Sequence, residues 1–322
     1  FEDRVQAAGT VVSQDPHHPV KIAVIYPGEQ VSDYWSRSIT AFTKRLDECG
    51  ISYEIIEYFT KPAIEQRLQE QYLREALSTD PDYLIFTLDV SRHMALIERM
   101  LARQRPKIIL QNITTPLARW EGRQPFLYVG FDHVRGTSML ADYFIQKTRG
   151  KGKYAMLYFS EGYVSTMRGD SFIARVTALT DLELIAAYYT GGNRDKARNA
   201  AREILAQTPD LRFIYACSTD VALGAIDAVQ ETGLPVMVNG WGGGSAELQA
   251  IIDRQMAVTV MRINDDNGVA MAEAIRLDTE GKAGQVPQIY SGEFALVEQN
   301  IDARQLNRLK LRSFRYSGQS PR

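Results

Sequence analysis

Six short apolar runs in this chain each end in a knot of residues able to hold a small molecule. Lys21–Tyr26 leads to Gln30, Ser32 and Trp35. Tyr83–Phe86 leads to Thr87 and Asp89, and Lys107–Leu110 leads to Gln111 and Asn112. Tyr154–Phe159 leads to Ser160, Glu161 and, further on, Arg168. Phe213–Ala216 leads to Cys217, Ser218, Thr219 and Asp220, and Val236–Val238 leads to Asn239 and Trp241. The set offers hydroxyls, amides, carboxylates, a guanidinium and two indoles. It contains no cluster with metal-ligand spacing and no activated nucleophile. That inventory suits binding rather than catalysis, so neither an enzymatic activity nor a cofactor is expected.

Strand ends must present these knots. Apolar segments alternate with helical patterns along the whole chain. Tyr34–Glu48 sets Ile39, Phe42 and Leu46 on one face, Ala63–Ser78 sets Ile64, Leu68, Tyr72 and Leu77, and Ser91–Arg103 sets Met94, Ile97 and Leu101. Pro62 suits a first helical turn and Ser91 an N-cap. The rhythm resumes after Leu127–Phe131, with further strands at Leu184–Tyr189, Val258–Ile263 and Gln288–Val297. Short apolar strands with helical crossovers predict parallel sheets covered on both faces. In such sheets ligands bind beyond the carboxyl ends of the strands. Ten or more parallel strands rarely stay in one twisted sheet. The expected fold class is therefore α/β with two lobes, each a parallel sheet flanked by helices. The lobes are expected over residues 20–131 plus 264–291 and 132–263 plus 292–322, joined by three crossover strands near 130–136, 261–265 and 290–293. Residues 1–19 read as a polar leader segment, and both it and 313–322 are expected to attach loosely.

The remaining features narrow the class by exclusion. With 322 residues the chain can bury two full cores. A net charge of −2 leaves no basic footprint for nucleic acid. No apolar stretch is long enough to span a bilayer, so direct membrane insertion is not expected. Cys49 and Cys217 read as two unpaired, half-buried thiols, and a bond between them requires the fold to bring them together. His17, His18, His93 and His133 show no ligand spacing. The glycines around Trp241 (Gly240, Gly242, Gly243, Gly244) lack the spacing of a phosphate loop. Asp265 and Asp266 read as a helix cap, as does Thr219 or Asp220.

Two runs carry a family resemblance. "CSTDVALGAIDAV" and "KIAVIYPG" resemble the periplasmic sugar-binding proteins of the ribose-binding class, whose two-lobed core lac-type repressors share. Most members carry Gly-Phe-Asp where this chain has Asn239-Gly240-Trp241. Longer stretches, among them "PGEQVSDYW", "YLIFTLD", "LQNITTP", "PFLYVGFDH", "LYFSEGYVSTMRGD", "NGWGGGSAEL" and "TVMRINDD", are similar to a narrower subfamily, the LuxP-type receptors for the quorum-sensing signal autoinducer-2. That resemblance implies a periplasmic receptor whose ligand is a furanosyl borate diester, bound without chemical change. It implies lobe closure read by a membrane sensor histidine kinase of LuxQ type. Borate would then enter as part of the ligand. Residue by residue, it assigns Gln30, Ser32, Trp35, Thr87, Asp89 and Asn112 to the first lobe's share of the pocket. Arg168, Ser218, Thr219, Trp241 and Arg262 come from the second.

The chemistry of those residues agrees with an anion. Tetrahedral borate is negatively charged, and burying it unpaired is costly. Two guanidiniums supply charge-assisted hydrogen bonds worth roughly 1.5–3 kcal/mol each. Trp35 and Trp241 supply flat walls and an indole donor. Three rivals stay open. One is the sugar-binding component of an ABC uptake transporter, which shares the fold. Another is a regulator's effector domain, which calls for a helix-turn-helix before Lys21, where only a short polar leader stands. The last is a hydrolase using Asp89 and Asp220 as a carboxylate pair.

Overall fold

A computed structural model describes residues 1–12, 18–28, 30–61, 65–87, 94–103 and 105–318. Two six-stranded sheets organise the chain. The first contains β1 (Val20–Tyr26), β2 (Tyr53–Phe59), β3 (Tyr83–Phe86), β4 (Lys107–Gln111), β5 (Leu127–Phe131) and, from far downstream, β11 (Ile289–Gly292). Its order is β11-β5-β4-β3-β1-β2, and every pairing is parallel. The second contains β6 (Lys151–Tyr158), β7 (Asp181–Tyr189), β8 (Phe213–Ala216), β9 (Met237–Gly242), β10 (Val258–Arg262) and β12 (Phe294–Glu298). Its order is β12-β10-β9-β8-β6-β7, with only β12 antiparallel. This is the expected two-lobed α/β architecture.

Helices cover both faces of each sheet because the central strands are apolar on both sides. On the first sheet, α2 (Tyr34–Glu48) and α11 (Asp265–Thr279) bury Phe42, Leu46, Met271 and Ile275 on one face. On its other face α3 (Gln66–Ser78) and α4 (Met94–Arg103) bury Leu73, Ile97 and Met100. In the second lobe α5 (His133–Thr148) and α7 (Ser171–Leu179) cover one face. The helices α8 (Arg194–Gln207), α9 (Thr219–Thr232), α10 (Ser245–Ile252) and α12 (Ala303–Ser313) cover the other. The chain passes between the sheets after Phe131, after Arg262 and at Glu293. The run Gln288–Val297, expected as one strand, is two: Glu293 separates β11 in the first sheet from β12 in the second.

The chain ends differ from expectation. A short helix α1 (Glu2–Gln6) buries Val5 completely. Beyond α12, Phe314 packs into the second lobe's core, and the chain then reaches back to the first. Asp265 accepts hydrogen bonds from the Tyr316 and Ser317 amides at 2.8 and 2.7 Å, and Asp266 accepts from Arg312 and Arg315. These two aspartates therefore anchor the C-terminal segment instead of capping α11, whose N-cap is Asn264. Polar composition misleads here because the docking groups are charges and amides. Pro62, Ser91, His17 and His93 lie outside the described residues.

Candidate ligand-binding site

The carboxyl ends of both sheets face one cleft. Gln30 and Ser32 follow β1, and the Gln30 side-chain amide donates to the Pro27 carbonyl at 2.7 Å. Tyr34 and Trp35 open α2, edge to face at 4.7 Å between centroids. Asn112 leaves β4 with φ +68°, a left-handed conformation that asparagine tolerates better than most residues. From the second lobe come Phe159 after β6, Val164 in α6 (Tyr163–Ser165), Ser218 and Thr219 at the start of α9, Trp241 in β9, and Arg262 at the end of β10. Arg168 sits in a π turn, Thr166–Asp170, that joins α6 to α7. Such turns displace a side chain out of helical register, here into the cleft. Gly169 follows it because a Cβ there would strike the Tyr158 ring. Together with Pro27 these residues enclose about 510 Å³, mouth included.

Nine of the eleven sequence-assigned residues line this space: Gln30, Ser32, Trp35, Asn112, Arg168, Ser218, Thr219, Trp241 and Arg262. Thr87 is buried where β3 ends and is not among the lining residues. Asp89 lies outside the described residues. Pro27, Tyr34, Phe159 and Val164 also line the cleft and were not among the assigned residues, although Pro27 and Tyr34 stand in the stretch that follows the first apolar run. Phe159 was read as the last residue of a strand, but β6 stops at Tyr158 and frees it. Tyr34 stands between two named positions, at the first residue of α2.

Two cations dominate the electrostatics. Arg168 and Arg262 are each 4% exposed. Among the described residues neither forms an ion pair with a carboxylate. Arg168 donates from Nε to His133 Nδ1 and from Nη1 to the Cys217 carbonyl, both at 2.8 Å. Its guanidinium lies 3.7 Å from the Trp241 ring centroid, and that of Arg262 lies 4.3 Å from the Tyr34 ring. Cation–π contact compensates part of the lost hydration. Burial, then repulsion from Arg262, pulls Arg168 down to about 9, and burial also lowers Arg262. Arginine keeps its proton at neutral pH all the same. Four buried polar atoms on cleft-lining residues make no hydrogen bond: Asn112 Oδ1, Ser218 Oγ, Trp241 Nε1 and Arg262 Nε. Unpaired buried polar atoms are rare in proteins, and these four leave hydrogen-bonding capacity open in one cleft.

Glu247 builds the wall behind them. It is fully buried, and its carboxylate accepts from Thr219 Oγ1 at 2.6 Å, the Trp241 amide at 3.0 Å, the Gly243 amide at 2.8 Å and Thr259 Oγ1 at 2.5 Å. Gly243 turns its amide inward at φ +67°, where a Cβ would strike Met261. Thr219 is thus a cleft-lining residue held by Glu247; α9 instead takes Ser218 as its N-cap, without a side-chain bond. The first lobe reaches across the rim to the second. Asp33 accepts from the Ser245 hydroxyl at 2.7 Å, Arg37 donates to that hydroxyl at 2.8 Å, and Asp220 accepts from the Val31 amide at 3.2 Å. Burial pushes the Asp220 carboxyl up, with the Val31 and Ser32 amides opposing. The lobes are closed on each other. Cys49 and Cys217 are free and fully buried.

A family model described as "Periplasmic binding protein domain" matches residues 22–283. The chain belongs to the periplasmic binding protein family. Among the relatives of this periplasmic binding protein is the ribose import binding protein RbsB of Bacillus subtilis, 28% identical over 158 residues, which is 49% of this chain and 51% of that one. RbsB of Escherichia coli is 29% identical over 151 residues, 45% of this chain and 50% of its own. The match thus spans about half the length of these curated relatives. Among solved structures, an ABC transporter solute binding protein from Agrobacterium vitis with bound D-fucose superposes with a TM-score of 0.79 at 19% identity, covering 89% of this chain and 98% of that one. The fructose-binding periplasmic domain of a hybrid two-component system gives 0.78 at 18% identity, covering 91% and 95%. At such identities the likeness is one of fold. No helix among the described residues is long and apolar enough to cross a membrane.

Proposed function

We propose that this periplasmic binding protein is a periplasmic receptor for a small polyhydroxylated ring carrying negative charge, and that the furanosyl borate diester autoinducer-2 is that ligand. The supporting observation is the pair of buried guanidiniums lining the cleft without a carboxylate contact among the described residues. A neutral sugar leaves both charges uncompensated, whereas an anion between them offsets the desolvation already incurred. Donors and acceptors from both lobes hold the ring, so the closed state binds it better than the open one and closure is the output. The ligand leaves unchanged, since the inventory offers no nucleophile, and a membrane sensor histidine kinase of LuxQ type reads the closure.

The relatives favour a second reading. RbsB is named for ribose import, and several similar folds hold neutral sugars. On that reading the protein delivers a sugar to an ABC transporter. Calorimetric titration separates the two. Autoinducer-2 prepared with borate should bind about tenfold or more tightly than the borate-free preparation, the size of one charge-assisted hydrogen bond. Tighter binding of D-ribose than of either preparation would establish the uptake reading instead.

A further inference from the structure

His133 lies behind the cleft lining, stacked on Trp241 and 2% exposed, and no part of the ligand set above includes it. It is the first residue of α5, just after the chain crosses from β5 into the second lobe. Its Nδ1 accepts from Arg168 Nε at 2.8 Å. An arginine can only donate, so Nδ1 carries no proton. The other nitrogen, Nε2, lies 3.1 Å from the Asn112 carbonyl, which can only accept, so Nε2 carries the hydrogen. One neutral tautomer satisfies both partners. Trp241 stacks over the ring at 5.2 Å and Tyr163 meets it edge-on at 5.7 Å, so the imidazole cannot turn away.

We propose that His133 is a positioning residue for anion recognition, tying the first lobe's Asn112 to the second lobe's Arg168 and aiming that guanidinium at the ligand. The proposal rests on the anionic-ligand reading of the cleft. Its position explains the choice of residue. Asn112 belongs to the first sheet, where its amide donates to the Val129 carbonyl at 2.7 Å, while Arg168 belongs to the second lobe. Both ring nitrogens are spent on holding those two residues in the closed geometry.

Acid should break the link. Protonating Nδ1 sets two donors against each other and adds a third cation beside Arg168 and Arg262. The charged or titratable groups facing the ring are those two arginines and the Tyr163 phenol; Asp132, its chain neighbour, accepts from the Arg135 amide. Burial, followed by repulsion from Arg168 and Arg262, holds the imidazole well below its usual 6.5. A group whose folded pKa is depressed contributes stability that is present above its unfolded pKa and lost as pH falls below it. The window is therefore below pH 6.5.

The test compares His133→Leu with His133→Gln, using autoinducer-2 prepared with borate and D-ribose as the charged and neutral probes. Glutamine can accept from Arg168 and donate to Asn112 without titrating. The leucine variant should lose about tenfold or more in affinity for the charged probe and clearly less for the neutral one. The glutamine variant, which keeps both hydrogen bonds, should recover most of that loss. Equal losses for both probes, or no loss in the leucine variant, would overturn the proposal. If neither probe binds the unsubstituted protein, the ligand reading fails separately. The link is then judged by ¹⁵N spectra of labelled histidine. An unprotonated Nδ1 down to pH 5.5 supports it, and titration near 6.5 refutes it.

Discussion

At the scale of single residues, the cleft trades stability for charge. Arg168 and Arg262 lie side by side in a site where each repels the other and neither meets a described carboxylate. Removing one should therefore have opposite effects on binding and on the unliganded fold. Arg262→Met should weaken capture of the borate ligand by about 10- to 100-fold, the range for hydrogen bonds to charged groups. It should also raise the unliganded protein's resistance to urea by about 1 kcal/mol or more, since apolar replacements for buried charges are often stabilising. Titration calorimetry and urea denaturation check the two halves. A variant that loses stability along with affinity would mean the guanidinium has a structural role. Lysine should not rescue either position, because a point charge cannot reproduce a planar fork stacked on Tyr34 or Trp241. Most cleft residues were legible in the sequence as polar or aromatic positions just past apolar runs. His133 was not, because its partners stand 35 and 21 residues away and no local spacing reveals them.

At the scale of elements, a strand end, a glycine turn and a helix start are pinned by one carboxylate. Glu247 on α10 gathers donors from α9, β9, β10 and the turn at Gly243. Glu247→Ala leaves several of these buried donors without an acceptor, each costing about 1–3 kcal/mol. The expected result is a loss of about 3 kcal/mol or more of unfolding free energy, read by urea denaturation. Ligand affinity should fall as well, because Thr219 and Trp241 lose their anchor. A variant of native stability would remove Glu247 from this role. The helix α2 was readable at both ends, its apolar stripe running from Tyr34 to Glu48. A crossing was expected near 290–293, but not the break at Glu293 that makes Gln288–Val297 two strands, because an apolar run does not show where its partner strands change. The helices α1 and α12 were missed because polar residues dominate them and their few buried contacts come from distant chain.

At the scale of the molecule, three crossings join two covered sheets around a shared cleft. Rim contacts from Asp33 to Ser245 and from Val31 to Asp220 hold the closed form from outside the lining of the cleft. They are polar and partly exposed, so each contributes little. On the proposed reading, closure draws its driving force from the ligand, and the strongest term is charge meeting the two guanidiniums. What the protein carries out of a cell that makes its ligand is therefore decisive. Protein purified from an autoinducer-producing host should be denatured, and the released small molecule analysed by mass spectrometry and for boron. Capture of the borate diester requires about one boron per protein chain, lost in the Arg168→Ala,Arg262→Ala double variant. A released sugar free of boron and of negative charge would contradict it.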